Sequence, residues 1–85
     1  MIKIENEEIK KYKSKLKRMR VSSGMTQGEL SELSGINIKS IASYEQNPEK
    51  INKASVESVY NLADCLGCSI DDIIELVPSG IVIGG

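Results

Sequence analysis

The sequence TQGELSELSGINIKSIASYEQ, residues 26–46, decides the fold that is predicted for this 85-residue chain. Thr26 and Glu29 have the spacing of a capping box, in which a hydroxyl and a carboxylate satisfy free amides at the start of a helix. A short helix is therefore predicted to begin at Gln27. Gly35 is predicted to end it, because glycine adopts the positive φ of a tight turn without steric cost.

Apolar residues recur at helical spacing on both sides of this turn. Leu30 and Leu33 are predicted to form the inward face of the first short helix. Asn37 is a favourable N-cap for a second helix, in which Ile41 and Tyr44 form the inward stripe. Two short amphipathic helices are therefore predicted to pack across a glycine turn.

Two helices joined by a turn of three or four residues are typical of the helix-turn-helix, whose second helix enters the DNA major groove. An ordinary helical hairpin is the alternative. The sequence MTQGELSELSGINIKSIASYEQ resembles the small phage-repressor family of Cro and CI, also called the xenobiotic-response-element type. In that family a Thr-Gln pair opens the second helix, a Leu and a small residue follow, and a Gly makes the turn. The resemblance extends from about Leu16 to Leu76.

This resemblance implies which side chains meet the bases. Ile38, Lys39, Ala42 and Ser43 match the groove-facing positions, and Asn37 lies near the DNA backbone. Lys39 is able to donate hydrogen bonds to guanine, Ser43 is able to donate or accept, and the two apolar side chains suit thymine methyl groups. The family often has longer polar side chains here, so the target sequence stays open.

Two residues are predicted to contact phosphates. Gln27 is the first residue of its helix, where its side chain and the free amides of the first turn suit an anion. The alternative is an exposed polar residue without a role. Lys50 lies in a polar loop after the second helix, within reach of the DNA backbone.

Arg20 and Glu45 are predicted to form a structural ion pair. In the resembling family, an Arg at the end of the first helix contacts a Glu at the end of the recognition helix, and both residue types are present here. A guanidinium group binds a carboxylate through two parallel hydrogen bonds, which fixes the angle between helices better than Lys would. The alternative is that each side chain is solvated separately.

The charges are unevenly distributed, although the net charge is only −1. Residues 10–53 contain ten of the eleven Lys and Arg residues and four acidic residues, a local charge of +6. Residues 54–85 contain five acidic residues and no basic residue. Such an asymmetry is expected of a small DNA-binding protein that docks in one orientation. A solvated charged helix is the alternative for part of the Lys run.

Helices are also predicted on both sides of this unit. The first begins with Asn6 as N-cap and runs to about Ser23. The fourth begins within residues 52–55 and ends at Gly67, with Val56 among its inward-facing residues.

A short fifth helix begins with a second capping pair, Ser69 and Asp72, and ends before Pro78. The fold class predicted is therefore all-α, a compact five-helix bundle that the resemblance makes lambda-repressor-like. Residues 1–76 form the DNA-binding domain, and residues 77–85 form a short apolar tail.

Catalytic and metal-binding groups are scarce in the sequence. There is no His, and no Gly-rich loop follows a strand, so neither an enzyme nor a cofactor is predicted. Cys65 and Cys68 have a C-x-x-C spacing, but a zinc site needs about four ligands, which only two copies sharing an ion would supply. We interpret the pair as two small apolar side chains in a reducing cytosol, and no metal is predicted.

No stretch of the sequence has the apolar length of a membrane span, and the N-terminal sequence MIKIENEE is acidic, unlike a signal peptide. The protein is therefore expected to be cytoplasmic.

The function predicted is a sequence-specific regulator, in particular a repressor, that binds double-stranded DNA at a palindromic operator. An antitoxin or accessory module that holds a partner protein is the alternative.

A homodimer is expected, because one such module seldom binds an operator tightly enough alone. Val77–Gly85 is more apolar than a free tail, with Ile81, Val82 and Ile83 in a row. This tail either folds back on its own core or pairs with a second copy, with Ile73, Ile74 or Leu76 beside it.

Overall fold

The computed structural model describes residues 11–75 and contains four α-helices in that range. They are α1 (Lys15–Ser22), α2 (Gln27–Ser34), α3 (Ile38–Gln46) and α4 (Val56–Leu66), with 3-10 helices at Pro48–Lys53 and Ile70–Asp72. Residues 11–75 contain no strand. The all-α class is therefore confirmed, and the short fifth helix takes the tighter 3-10 form. None of the helices in this range is long and apolar enough to cross a membrane.

The helix that contains Leu16 starts later than predicted, at Lys15. Residues 11–14 are not helical, and Ser14 caps α1 by accepting a hydrogen bond from the Lys17 amide at 3.0 Å. A serine hydroxyl competes well for such amides, so a helix that continues from Asn6 through residue 14 is wrong. Asn6 itself lies outside the described residues.

The core draws one or more side chains from each α-helix, from the first 3-10 helix and from the residue directly after the second. Six large apolar side chains are almost completely buried: Leu16, Leu30, Ile41, Ile51, Leu62 and Ile73. Burying a side chain of this size stabilises a fold by about 1.5–3 kcal/mol. The core therefore ties the helix pair of residues 27–46 to α1, to α4 and to both 3-10 helices.

Two apolar positions predicted to face inward are exposed instead. Leu33 is 64% exposed, because Leu30 and Ser34, one helical turn apart, take the inward positions of α2. Val56 is 78% exposed, because it lies at the first position of α4, one turn before the buried Val59.

The turn between α2 and α3 is fixed by hydrogen bonds. Gly35 has a φ of +79°, and Asn37 caps α3 by accepting the Lys39 amide hydrogen bond at 2.7 Å. The Ser31 hydroxyl donates to the carbonyl of Ile36 at 2.6 Å. These contacts set the angle at which α3 leaves the turn.

The segment after α3 is also anchored at two points. Ile51 is buried in the core, and the side-chain amide of Asn52 makes two hydrogen bonds with the backbone of Glu75, at 2.9 and 2.8 Å. The Glu75 carboxylate also accepts the Lys15 amide hydrogen bond at 2.6 Å. The 3-10 helix that carries Lys50 is therefore attached to Glu75, which in turn binds the start of α1. The predicted apolar tail lies outside the described residues.

Candidate nucleic-acid interface

Arg20 and Glu45 form a bidentate ion pair between α1 and α3. Arg20 Nε donates to Glu45 Oε2 at 2.7 Å, and Arg20 Nη2 donates to Glu45 Oε1 at 2.9 Å. Both residues are buried. Parallel hydrogen bonds of this kind are directional, so the pair fixes the orientation of α3 against α1.

Two more hydrogen bonds extend this ion pair. The Gln27 side-chain amide donates to Glu45 Oε1 at 2.9 Å, and Arg20 Nη1 donates to the carbonyl of Met25 at 2.8 Å. Within residues 11–75, no buried side-chain nitrogen or oxygen lacks a partner. We call Arg20, Met25, Gln27 and Glu45 the polar clamp. It joins the end of α1, the turn before α2, the start of α2 and the end of α3.

Sequence reasoning missed the contact between Gln27 and Glu45, because it assigned the Gln27 side chain to phosphate alone. A glutamine amide has two hydrogens, so one remains for a phosphate while the other binds Glu45. The sequence offered one indication of this contact. A carboxylate accepts more hydrogen bonds than a single Arg provides, so Glu45 has room for a further donor.

The predicted base-contacting residues lie along α3. Ile38 and Lys39 are exposed, while Ala42 and Ser43 are half-buried. Asn37 is exposed and uses its side-chain oxygen as the cap of α3. The buried residues Ile41 and Glu45 form the opposite row of the helix.

Gln46 is a further candidate that sequence reasoning passed over. It is exposed at the end of α3, three residues after Ser43 and seven after Lys39. Residues at these spacings share a helix face. Gln46 therefore adds a second long polar side chain, beside Lys39, to this candidate set.

Three basic residues of α1, all half-buried, contact other parts of the chain. Lys17 Nζ lies 4.4 Å from the centroid of the Tyr12 ring, and Arg18 Nε donates to the Tyr12 carbonyl at 2.6 Å. Lys15 Nζ donates to the carbonyl of Asp71 at 2.8 Å. These contacts reduce the basic surface that is available to a ligand.

The basic residues on α3 and on the 3-10 helix after it are exposed. Lys39 lies at the start of α3, and Lys50 and Lys53 lie on the 3-10 helix directly after it. The candidate interface therefore carries three exposed ammonium groups on or next to the recognition helix.

One acidic side chain lies close to the predicted phosphate site. Glu29 Oε1 accepts the Thr26 amide hydrogen bond at 2.9 Å, and the Thr26 hydroxyl accepts the Glu29 amide hydrogen bond at 3.0 Å. This capping box stabilises the start of α2. It also places the Glu29 carboxylate in the turn whose free amides suit an anion. The amides attract a phosphate and the carboxylate repels it, so the two effects oppose each other.

The two cysteine thiols have a raised pKa, which lowers the fraction of reactive thiolate. Burial raises the pKa of both thiols, and the carboxylates of Asp64 and Asp72 raise the pKa of Cys65 and Cys68 respectively. Within residues 11–75, no group of three or more His, Cys, Asp or Glu side chains is placed to hold a metal ion.

Comparison with known protein families matches residues 16–73 to a helix-turn-helix family. The match covers α1 to the last 3-10 helix, and thus the polar clamp and the whole of α3. No curated protein and no solved structure matches the chain significantly.

Proposed function

This chain belongs to the helix-turn-helix family of the Cro/CI, or xenobiotic-response-element, type, and from that membership we propose that it represses transcription by occupying a palindromic DNA operator as a homodimer. The family is one of DNA-binding regulators of transcription. The operator, the repression and the dimer are the parts that we propose.

The observation that carries the proposal is that the two faces of α3 lie in different environments. One row of this helix, Ile41 and Glu45, is buried in the core and the polar clamp. The other row, which includes Lys39 and Gln46, takes no part in the core. A helix held rigidly by one face and free along the other suits insertion into the major groove.

Base contacts and phosphate contacts are assigned to different residues in this proposal. Lys39, Ser43 and Gln46 hydrogen-bond base edges, and Ile38 and Ala42 contact thymine methyl groups. Gln27 and Lys50 contact phosphates on either side, with Asn37 near the backbone at the start of α3. Such phosphate contacts set the register of the helix in the groove without reading sequence.

The dimer is proposed because a single copy is expected to bind an operator too weakly. A single module of this size covers about 600–1,000 Å² of its surface on DNA, which seldom suffices for an operator at physiological salt. Two copies related by a two-fold axis would occupy half-sites about 34 Å apart, one turn of the double helix.

Selection of bound fragments from random double-stranded DNA tests the proposal. We expect a palindromic consensus, binding that weakens steeply as salt rises, and reduced transcription from a promoter that contains the consensus. The same selection with the Lys39→Ala variant serves as the control and should give a degraded consensus.

Two outcomes would contradict the proposal in different ways. A chain that ignores DNA at low salt would support the alternative role of holding a partner protein. A chain that binds every sequence with equal affinity would show general DNA binding without operator recognition.

A further inference from the structure

Two serines of α2 bind the backbone of the residue that leads into α3. The Ser31 hydroxyl donates to the carbonyl of Ile36 at 2.6 Å, and the Ile36 amide donates to the Ser34 hydroxyl at 3.1 Å. Both polar groups of the Ile36 backbone are therefore attached to side chains of α2. We call Ser31, Ser34 and Ile36 the serine bridge. The DNA contacts proposed above do not involve it.

The bridge spans a turn that has little restraint of its own. Gly35 has a φ of +79°, and glycine has more backbone freedom than any other residue. Apart from the chain neighbours of Gly35, no atom within residues 11–75 lies within 4 Å of the position that a Cβ would take there. The Gly35 amide binds the Ser31 carbonyl at 2.9 Å, which leaves the rotations about the Gly35 Cα free. The hydrogen bonds on Ile36 restrain these rotations.

Two other contacts hold α3 at its middle and at its far end. Ile41 is buried in the core, but apolar contact is not directional, so it holds the helix in place without setting its tilt. Glu45 of the polar clamp lies two turns after Ile38, about 10 Å along the helix axis. The serine bridge supplies a directional contact at the opposite end, directly before the start of α3.

The start of α3 carries side chains that are assigned to the bases. Ile38 and Lys39 are exposed in its first turn. A hydrogen bond to a base edge requires a correct distance and angle, whereas the charge of an ammonium group attracts a phosphate over a wider range of positions. A change in the tilt of α3 at this end should therefore weaken base contacts more than phosphate contacts.

We propose that Ser31 is a positioning residue for base recognition, because its bond to Ile36 fixes the tilt at which Lys39 meets a base edge. Ser31 itself contacts no DNA in this arrangement. The inference rests on the proposed function and names a residue on which its specificity depends. Ser34 is buried and Ser31 is half-buried, so a substitution at Ser31 disturbs the core less.

Removing the Ser31 hydroxyl should widen the range of α3 orientations without unfolding the chain. Alanine favours a helix more than serine does, so Ser31→Ala should retain α2. One hydrogen bond corresponds to about threefold to tenfold in an equilibrium constant. The fraction of chains with α3 in the recognition orientation should fall by up to this factor, and the affinity for the operator should fall with it.

The test compares Ser31→Ala with Ser31→Thr, which retains a hydroxyl. Ser58→Ala is the matched control, because Ser58 is also half-buried in an α-helix and its hydroxyl accepts a hydrogen bond from Ser55 at 2.9 Å, but it lies on α4. Affinity is measured for the selected consensus duplex and for a scrambled duplex at one salt concentration. Urea unfolding followed by circular dichroism sets a temperature at which every variant is folded.

Amide hydrogen exchange provides a second measurement, which needs no DNA. The Ile36 amide binds Ser34 in the bridge, and the Ser40 amide binds the carbonyl of Asn37 at 2.9 Å in the first turn of α3. A start of α3 that is less firmly attached to α2 opens more often. These two amides should therefore exchange about threefold to tenfold faster in Ser31→Ala, and at the parent rate in the other two variants.

We expect Ser31→Ala to lose about threefold to tenfold in affinity for the consensus duplex, with unchanged affinity for the scrambled duplex. Ser31→Thr and Ser58→Ala should match the parent on both. An equal loss on both duplexes would overturn the inference, because Ser31 would then only stabilise the fold. A Ser31→Ala variant that keeps the full preference of the parent would overturn it as well.

Failure of the proposed function gives a different result, since the parent itself would then prefer neither duplex. Hydrogen exchange still tests the bridge in that case. Faster exchange in Ser31→Ala would support the role of Ser31 in holding the start of α3, and unchanged exchange would overturn it.

Discussion

Arg20 on α1 holds both carboxylate oxygens of Glu45 on α3, at 2.7 and 2.9 Å, across 25 residues of sequence. Glu45 Oε1 also accepts a hydrogen bond from Gln27, so one buried carboxylate joins three helices. The free face of α3 therefore has a fixed direction relative to the start of α2. This is the relationship on which the proposed contacts with bases and phosphates depend.

Replacing Arg20 by Ala should lower the free energy of unfolding by about 3–5 kcal/mol, because it leaves the Glu45 charge buried without its partner. Urea unfolding monitored by circular dichroism measures the change. Arg20→Lys serves as a comparison, since it keeps the charge but loses the bidentate geometry. Its free energy of unfolding should lie between those of the parent and of Arg20→Ala. Unchanged stability in Arg20→Ala would mean that the ion pair does not hold the helices.

Replacing Lys39 by Ala should reduce base discrimination at one operator position by about 1–3 kcal/mol, because Lys39 is assigned to a base edge. Lys50→Ala should instead weaken binding to all sequences alike and reduce the slope of log affinity against log salt by about one. Titration of both variants against a consensus and a scrambled duplex at several salt concentrations separates the two effects. If Lys39→Ala weakened every sequence equally, the assigned groove-facing side of α3 would be incorrect.

Glu29→Gln should increase DNA affinity a few-fold at low salt. Glutamine is able to keep the capping box with Thr26, while a negative charge is removed from the turn proposed to meet a phosphate. Stability should change by less than about 0.5 kcal/mol. Glu32→Gln, one turn further from the helix start, is the control and should have a smaller effect. Equal gains from both variants would indicate a general charge effect, with no phosphate at the start of α2.

The cysteines should react slowly with alkylating agents at neutral pH. Burial and the neighbouring Asp64 and Asp72 raise the pKa of Cys65 and Cys68, and only the thiolate is nucleophilic. The reaction rate should therefore rise with pH and level off at a higher pH than it does for an ordinary thiol. Timed labelling with iodoacetamide, read by mass spectrometry beside a free cysteine peptide, measures this. Labelling as fast as the peptide at pH 7 would contradict the expected protection.

The elements of this fold follow from local signals. The capping pair of Thr26 and Glu29, the glycine at residue 35 and the Asn37 cap act over at most four residues, so the bounds of α2 and α3 were predictable from sequence. The start of α1 was not predictable, because the same segment contains two residues that are suited to cap a helix, Asn6 and Ser14.

The partners of individual side chains required the tertiary structure. Helical spacing alone does not distinguish Leu30, which is buried, from Leu33, which is exposed, since both suit an inward stripe. The Arg20 and Glu45 pair was expected from family resemblance, whereas the Gln27 contact joins residues 18 apart, so helical spacing does not predict it.

The sequence by itself determined the all-α class, the helix-turn-helix unit and the asymmetry of charge, because these depend on short-range spacing and composition. Only the tertiary structure shows that the Lys15 ammonium donates to the carbonyl of Asp71, 56 residues away. It also decided that Val56 and Tyr60 of α4 are exposed. Exposure depends on what the rest of the chain places beside a residue, and contacts across as many as 60 residues set that in this protein.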